Sequence, residues 1–217
     1  MQLYSSAFSP YAARCRIQIH HKQLPVEIVA PPGGLGSAQL KAKNPIGKIP
    51  VLDLGDKTLA ESWAIMEYLE ARFPEPAMRP ANAFEQAKLQ ELVRFTDLNL
   101  ATAMFPLFRA LRGAVGPEGV AEALTALQAQ LQVLELLLAR KTRSAALPLD
   151  LADAALLPVM FYARLLAKHF GKTDCLATLP VTSSWWQQSS AVPAGAKVLA
   201  EMEAGLRAAI PVLFAGA

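Results

Sequence analysis

A chain of 217 residues that is 53% hydrophobic and 18% charged carries enough apolar side chain for one large core or two small ones. Its net charge of +3 is scattered, with Lys141 and Arg143 forming the one small basic cluster, so a nucleic-acid partner is not supported. Two cysteines outside any C-x-x-C pair make no disulfide framework, and His20, His21 and His169 lack ligand spacing with them, so no metal site is expected.

In chain order, residues 2–5 read as a short strand, and Ser9-Pro10 as a helix start with serine at the cap and proline in the first turn. Residues 11–22 make the first helix and 24–28 the second strand. Pro31, Pro32, Gly33, Gly34 and Gly36 mark a loop, followed by a short helix over 37–43. Residues 49–53 and 57–59 read as a hairpin joined by Leu54-Gly55-Asp56. A helix over 61–73 places Ile65, Tyr68, Leu69 and Phe73 on one face. The order β-α-β-α-β-β-α predicts a mixed sheet covered by helices.

Pro74, Pro76 and Pro80 mark a linker, and no strand pattern follows it. Residues 83–111 form a long helical stretch with a kink or break expected at Pro106. A periodic helix over 118–140 runs through Leu124, Leu127, Leu131, Leu134 and Leu138. A helix over 150–168 is apolar enough to be buried on most sides, and 198–209 is amphipathic. The apolar run 151–167 is interrupted by Asp153 and Arg164 and is shorter than the ~20 residues of a membrane span. The N-terminus lacks a basic region followed by an apolar stretch, so no signal peptide, no membrane partner and a cytoplasmic location are expected. The predicted organisation is an α/β domain over 1–75, a linker over 76–82 and an all-helical domain over 83–217.

Three local patterns bear on chemistry. A strand opened by Ile49-Pro50 is unusual, because proline removes a ladder donor and restricts the residue before it. If that bond is cis, at ~0.5–1 kcal/mol over trans, Ile49 exposes its backbone N–H and C=O to a small peptide by strand addition. A trans proline opening an edge strand is the alternative, and Pro50 alone favours it, since cis is the minority state of X-Pro bonds. Ser9 can simply cap its helix, worth ~1 kcal/mol, or offer its hydroxyl to an anion favoured at a helix N-terminus. For a thiolate, one such hydrogen bond of ~1.5–3 kcal/mol lowers the thiol pKa from near ~8.5 by about one to two units. Ser62 can offer a hydroxyl and an N–H to a carboxylate, and Glu61 can accept from an ammonium, a fit for an α-amino acid head group. An ordinary polar helix start explains that pair when it is taken alone.

Together, in this order, the motifs resemble the cytosolic glutathione transferase family. Ser9-Pro10-Tyr11-Ala12-Ala13-Arg14-Cys15-Arg16-Ile17 is similar to the start of the first helix in serine-type members, bacterial or tau- or zeta-like. Asn44-Pro45-Ile46-Gly47-Lys48-Ile49-Pro50-Val51-Leu52 is similar to the segment carrying the family's cis-proline, and Glu61-Ser62 to its glutamyl-binding pair. Asp150-Leu151-Ala152-Asp153 resembles the capping box and staple of the buried helix in the second domain, with aspartate where serine or threonine is usual. The resemblance spans essentially the whole chain and weakens after about residue 170.

The resemblance implies a thioredoxin-like N-terminal domain, an all-helical C-terminal domain and a detoxifying homodimer. Glutathione is the implied co-substrate, its thiolate attacking an electrophilic or hydrophobic small molecule. Ser9 would stabilise that thiolate, and Ile49, ahead of Pro50, would pair with the cysteinyl part. Lys48 would approach the glycyl carboxylate, and Glu61 and Ser62 would hold the γ-glutamyl end. Ser5, Ser6 and Tyr4 leave the choice of activating hydroxyl open. Tyr11, Phe105 and Phe108 are candidates for an apolar co-substrate pocket between the domains, with core packing an equal explanation for the phenylalanines. Serine at position 9 argues against the thiol-disulfide exchange subgroup. Rival readings are a glutathione-dependent isomerase, dehalogenase or peroxidase on the same scaffold, or a non-catalytic glutathione-binding module. Cys15 reads as a buried apolar residue, His20 and His21 as solvated, and Trp185 and Trp186 as core plus domain edge.

Overall fold

A computed structural model of the chain describes residues 1–142 and 147–214; Arg143 of the small basic cluster and residues 215–217 of the helical region lie outside it. The first part runs β1 (Gln2–Tyr4), α1 (Pro10–Lys22), β2 (Glu27–Val29), α2 (Ala38–Lys43), β3 (Val51–Asp53), β4 (Thr58–Ala60) and α3 (Ser62–Arg72). The strands form one mixed sheet in the order β2-β1-β3-β4, with β1 parallel to β2 and β3 antiparallel to both its neighbours. Period-two alternation gives the sheet two apolar faces. Leu3 and Leu52 join the main core with Ile17, Ile65 and Leu69 of α1 and α3, while Tyr4 and Val51 pack on Leu40 of α2.

The second strand begins later than residue 24. Leu24 N–H still donates to Ile19 O at 2.9 Å to close α1, and Pro25 has no N–H, so pairing starts with Glu27 N to Met1 O at 3.0 Å.

On the α2 side, Tyr4 donates its hydroxyl to Asp53 Oδ2 at 2.6 Å, and Lys43 Nζ lies 2.8 Å from the same oxygen. The hydrogen bonds from Lys43, then Tyr4, then Gly55 N–H, hold the Asp53 carboxyl down at about 2. A carboxyl depressed on folding stabilises the native state above its unfolded value, and that contribution disappears as pH falls through the folded value. Wild type should therefore lose stability between about pH 4 and about pH 2 more steeply than Asp53→Asn, while the variant is the weaker of the two at neutral pH. Urea midpoints across that range check this, and parallel curves would contradict it.

The second part comprises α4 (Ala83–Phe95), a π-helical turn (Thr96–Leu100), α5 (Ala101–Ala103), α6 (Phe105–Ala110), α7 (Pro117–Ala139), α8 (Leu151–Gly171), α9 (Pro180–Ala191), α10 (Pro193–Ala209) and a closing 3₁₀ turn (Pro211–Phe214). The helix expected over 83–111 is not continuous, and its break falls at Met104 rather than Pro106. Pro106 occupies the first turn of α6, where its missing N–H removes no helical hydrogen bond.

α9 was not expected from the sequence, because Thr182, Ser183, Ser184, Gln187 and Gln188 blur any apolar stripe. Its free first-turn groups are satisfied from another helix. The Glu135 carboxylate of α7 accepts from Val181 N and Thr182 N at 2.8 Å each and from Thr182 Oγ1 at 2.6 Å. α10 starts at Pro193, five residues ahead of the expected 198, again with proline in the first turn.

α8 runs through the core and opens with a complete capping box: Asp153 N donates to Asp150 Oδ1 at 2.8 Å and Asp150 N to Asp153 Oδ2 at 3.2 Å. Trp185 Nε1 donates to Asp153 Oδ1 at 2.7 Å, which places Trp185 in the core. Residues 73–82, without helix or strand, are tied down from both sides. Buried Lys22 pairs with Glu70 at 2.8 Å and donates to the carbonyls of Pro74 and Pro76. Met78 N donates to Glu70 Oε1 at 2.8 Å, and Met78 O accepts from Leu151 N at 2.9 Å. Among the described residues no helix is long and apolar enough to cross a membrane.

Candidate active site

Strand register brings the three candidate segments together. Val51 pairs with Tyr4 of β1 and with Ala60 of β4, so one edge of the sheet holds the end of β1, the start of β3 and the end of β4. Ser5 and the segment to Ser9 leave from that edge, Ile49-Pro50 enter at it, and Glu61-Ser62 leave from it.

Ser9 caps α1, its Oγ accepting from Ala12 N at 3.3 Å. A hydroxyl carries one proton besides its lone pairs, so capping leaves the Ser9 O–H available as a donor. The Ile49–Pro50 bond is cis. Ile49 lies before the ladder, and among the described residues its N–H and C=O take no hydrogen-bond partner. Asn44 fixes the approach: its Nδ2 donates to Lys48 O at 2.9 Å and its Oδ1 accepts from Ile46 N at 3.2 Å. Gly47, at φ 70°, donates to Asn44 O at 2.7 Å and accepts from Gly36 N at 3.1 Å, so the turn needs a residue tolerant of the left-handed region. Lys48 is exposed.

Glu61 stands at the mouth of α3 with φ 68° and ψ 114°, a costly conformation for a residue with a side chain, and it makes no side-chain cap. No side chain caps the first N–H groups of α3, which begin beside exposed Glu61 and at buried Ser62. Backbone strain of this kind persists only where the surrounding structure holds it, and it clusters at functional sites.

The rival hydroxyls differ from Ser9. Tyr4 is engaged with Asp53, a hydrogen bond that raises its pKa. Ser5 is buried and donates to Ser6 O at 3.3 Å. Burial lifts the Cys15 thiol to about 12, with Sγ against Ser62 O at 3.5 Å, so Cys15 is inert and α1 touches the start of α3 through it. His20 and His21 are half-buried rather than solvated, and desolvation lowers the pKa of both.

Tyr11 is half-buried on α1, with the Arg14 guanidinium 5.1 Å from its ring centre. Phe108 meets the Tyr162 ring edge-on at 5.2 Å and packs against the core, whereas Phe105 is 52% exposed. A cavity of about 430 Å³ lies among α8, α9, α10 and the closing turn, and none of its lining residues comes from the sheet or α1.

The partners of Arg14 and Arg16 are what sequence reading missed. Arg14 is fully buried and bidentate to Asp97 of the π-helical turn, at 3.0 and 2.6 Å. Arg16 pairs with Glu201 of α10 at 2.7 Å and donates to Ala7 O.

A thioredoxin-like sheet followed by a helical domain, with a capped serine, a cis-proline and a strained glutamate at one edge, defines a class that known proteins share. The model of the glutathione S-transferase N-terminal domain matches residues 3–77. Glutathione S-transferase 3 of Zea mays is 32% identical over 213 residues, 92% of this chain and 93% of the relative. Maleylpyruvate isomerase of Ralstonia sp is 36% identical over 105 residues, 46% of this chain and 49% of that protein. The crystal structure of glutathione transferase F7 from Populus trichocarpa superposes with a TM-score of 0.77 at 26% identity, over 93% of this chain and 98% of that one. The chain belongs to the glutathione S-transferase family.

Proposed function

We propose that the sheet edge between Ser9, Ile49 and Glu61 binds glutathione and prepares its thiolate for attack on an electrophilic small molecule. The protein is a glutathione transferase with glutathione as co-substrate. The sulfur forms a bond to the electrophilic carbon, the leaving group departs with its electron pair, and the thiol proton passes to solvent.

The Ser9 hydroxyl donates to the thiolate while still accepting from Ala12 N. Ile49 N–H and C=O pair with the cysteinyl backbone as an added strand would. The Glu61 carboxylate takes the γ-glutamyl ammonium, and Ser62 with the α3 N-terminus takes its carboxylate. Exposed Lys48 faces the glycyl carboxylate. Tyr11 and Phe108 line the co-substrate wall, with Phe105 at its exposed rim. The observation that carries this reading is the shared register of β1, β3 and β4, which supports bringing an anion-friendly helix start, a free strand backbone and a zwitterion clamp to one edge.

The division into 1–75, 76–82 and 83–217 follows the same reading, the linker being the segment tied by Lys22 and Glu70. A homodimer fits the exposed apolar side chains of Phe84, Leu98 and Phe105 on α4, the π-helical turn and α6. Cytoplasmic detoxification is the accompanying role. A glutathione-dependent isomerase is the second reading, favoured by the likeness to maleylpyruvate isomerase. Product analysis separates the two: a transferase leaves the sulfur in its product, and an isomerase returns glutathione unchanged.

Calorimetric titration of glutathione tests the clamp. Glu61→Gln should raise Kd about tenfold or more, as expected for losing a charged hydrogen bond. An unchanged Kd would remove Glu61 from the site.

A further inference from the structure

We infer that Tyr162 of α8 and Gly205 of α10 are positioning residues that hold the Ser5-to-Ser9 segment, so that the helical domain sets the catalytic serine as well as the co-substrate wall. The inference rests on the reading of Ser9 as the thiolate's donor.

The segment has little internal support. Ser5 N is anchored to Val29 O at 2.9 Å, but beyond it the segment's own hydrogen bonds are long, Ser9 N to Ser6 O at 3.4 Å and Ser5 Oγ to Ser6 O at 3.3 Å. Ala7 and Phe8 are exposed and are fixed from outside. The Tyr162 hydroxyl donates to Phe8 O, one residue before Ser9. The Arg16 guanidinium donates to Ala7 O and is held by Glu201, one turn before Gly205 on α10.

Gly205 lies inside a helix, where glycine is less favourable than alanine. The space around it explains the residue: a Cβ there would lie 2.7 Å from Ala7 Cβ and 3.4 Å from Phe8 Cδ1. Helix α10 therefore approaches the segment as closely as a residue without a side chain permits. Tyr162 carries a second connection, since Phe108 of the proposed co-substrate wall stacks edge-on against its ring at 5.2 Å. A phenol is protonated at neutral pH, so the Tyr162 hydroxyl has a proton to donate to Phe8 O, and burial raises its pKa further.

The experiment measures the thiol pKa of enzyme-bound glutathione, by ultraviolet absorbance of the thiolate, and kcat/KM in Gly205→Ala, Tyr162→Phe, the Ala7→Gly/Gly205→Ala pair and Ser9→Ala. Gly205→Ala should raise the bound thiol pKa by about one unit and lower kcat/KM at neutral pH about tenfold. Ala7→Gly in the same chain removes the clashing methyl and should restore most of both. Tyr162→Phe keeps the ring stack and should lose about two- to tenfold in kcat/KM, the equivalent of one hydrogen bond. If Gly205→Ala fails to fold, Tyr162→Phe carries the test. Wild-type thiol pKa values in both Gly205→Ala and Tyr162→Phe, with a raised value in Ser9→Ala, would overturn the positioning role and leave the Ser9 reading intact. A raised pKa in Gly205→Ala beside an unchanged one in Ser9→Ala would keep the positioning role and transfer the donor role to Ser5 or Ser6.

Discussion

Asp97→Ala should lower the free energy of unfolding by about 3 kcal/mol, read as a fall in urea midpoint at constant m. Arg14 has no exposed side-chain surface and spends two guanidinium nitrogens on Asp97, at 3.0 and 2.6 Å, with Ala155 O of α8 a further acceptor at 3.4 Å. Truncating Asp97 leaves that cation buried without its counter-charge, the costly way to break an ion pair. The Asp97 side chain keeps 21% of its surface in water, which sets the figure at the low end of the range for buried pairs. Removing both charges is the control: Arg14→Met with Asp97→Ala should cost less than the two single changes summed, because no unpaired charge remains. The function should suffer beside the stability, since the guanidinium under the Tyr11 ring is what Asp97 holds in place. Additive single and double mutants, or a loss well below 1 kcal/mol, would show that Asp97 does not hold Arg14.

This ion pair marks the limit of what sequence could reveal. The sheet and most helices were legible because proline, glycine and apolar periodicity punctuate them plainly. The capping box at Asp150 and the cis bond at Ile49–Pro50 were legible only through the family resemblance, since the Ile49-Pro50 pair by itself favours a trans bond. α9 was not, because its start is satisfied by Glu135 of another helix rather than by its own residues. The break falls at Met104 where the sequence points to Pro106, since a proline in the first turn of a new helix looks the same in sequence as one that interrupts an old helix. The site residues were each visible as ambiguous local patterns, and what joined them was strand register, a non-local quantity. The partners of Arg14 and Arg16 lie 83 and 185 residues away, beyond the reach of any spacing rule.

Ser9→Ala should slow the reaction about ten- to hundredfold at neutral pH, the rate equivalent of raising the bound thiol pKa by about one to two units. The sign follows from which form reacts. Ser9 favours the thiolate, so wild type holds a larger reactive fraction at any pH below the free thiol value, near ~8.5. As pH rises past that value both enzymes carry thiolate, and the ratio of their rates should shrink. A pH–rate profile of kcat therefore shows its limb displaced to higher pH in the variant. Stability must be separated from chemistry, because Ser9 Oγ also caps α1 through Ala12 N, a role worth ~1 kcal/mol. Ser9→Asp makes the separation: aspartate caps as well as serine, but places a negative charge beside the thiolate. It should keep the wild-type unfolding midpoint and yet react more slowly than Ser9→Ala. Superimposable pH profiles for wild type and Ser9→Ala would leave capping as the serine's whole role and require another donor for the sulfur.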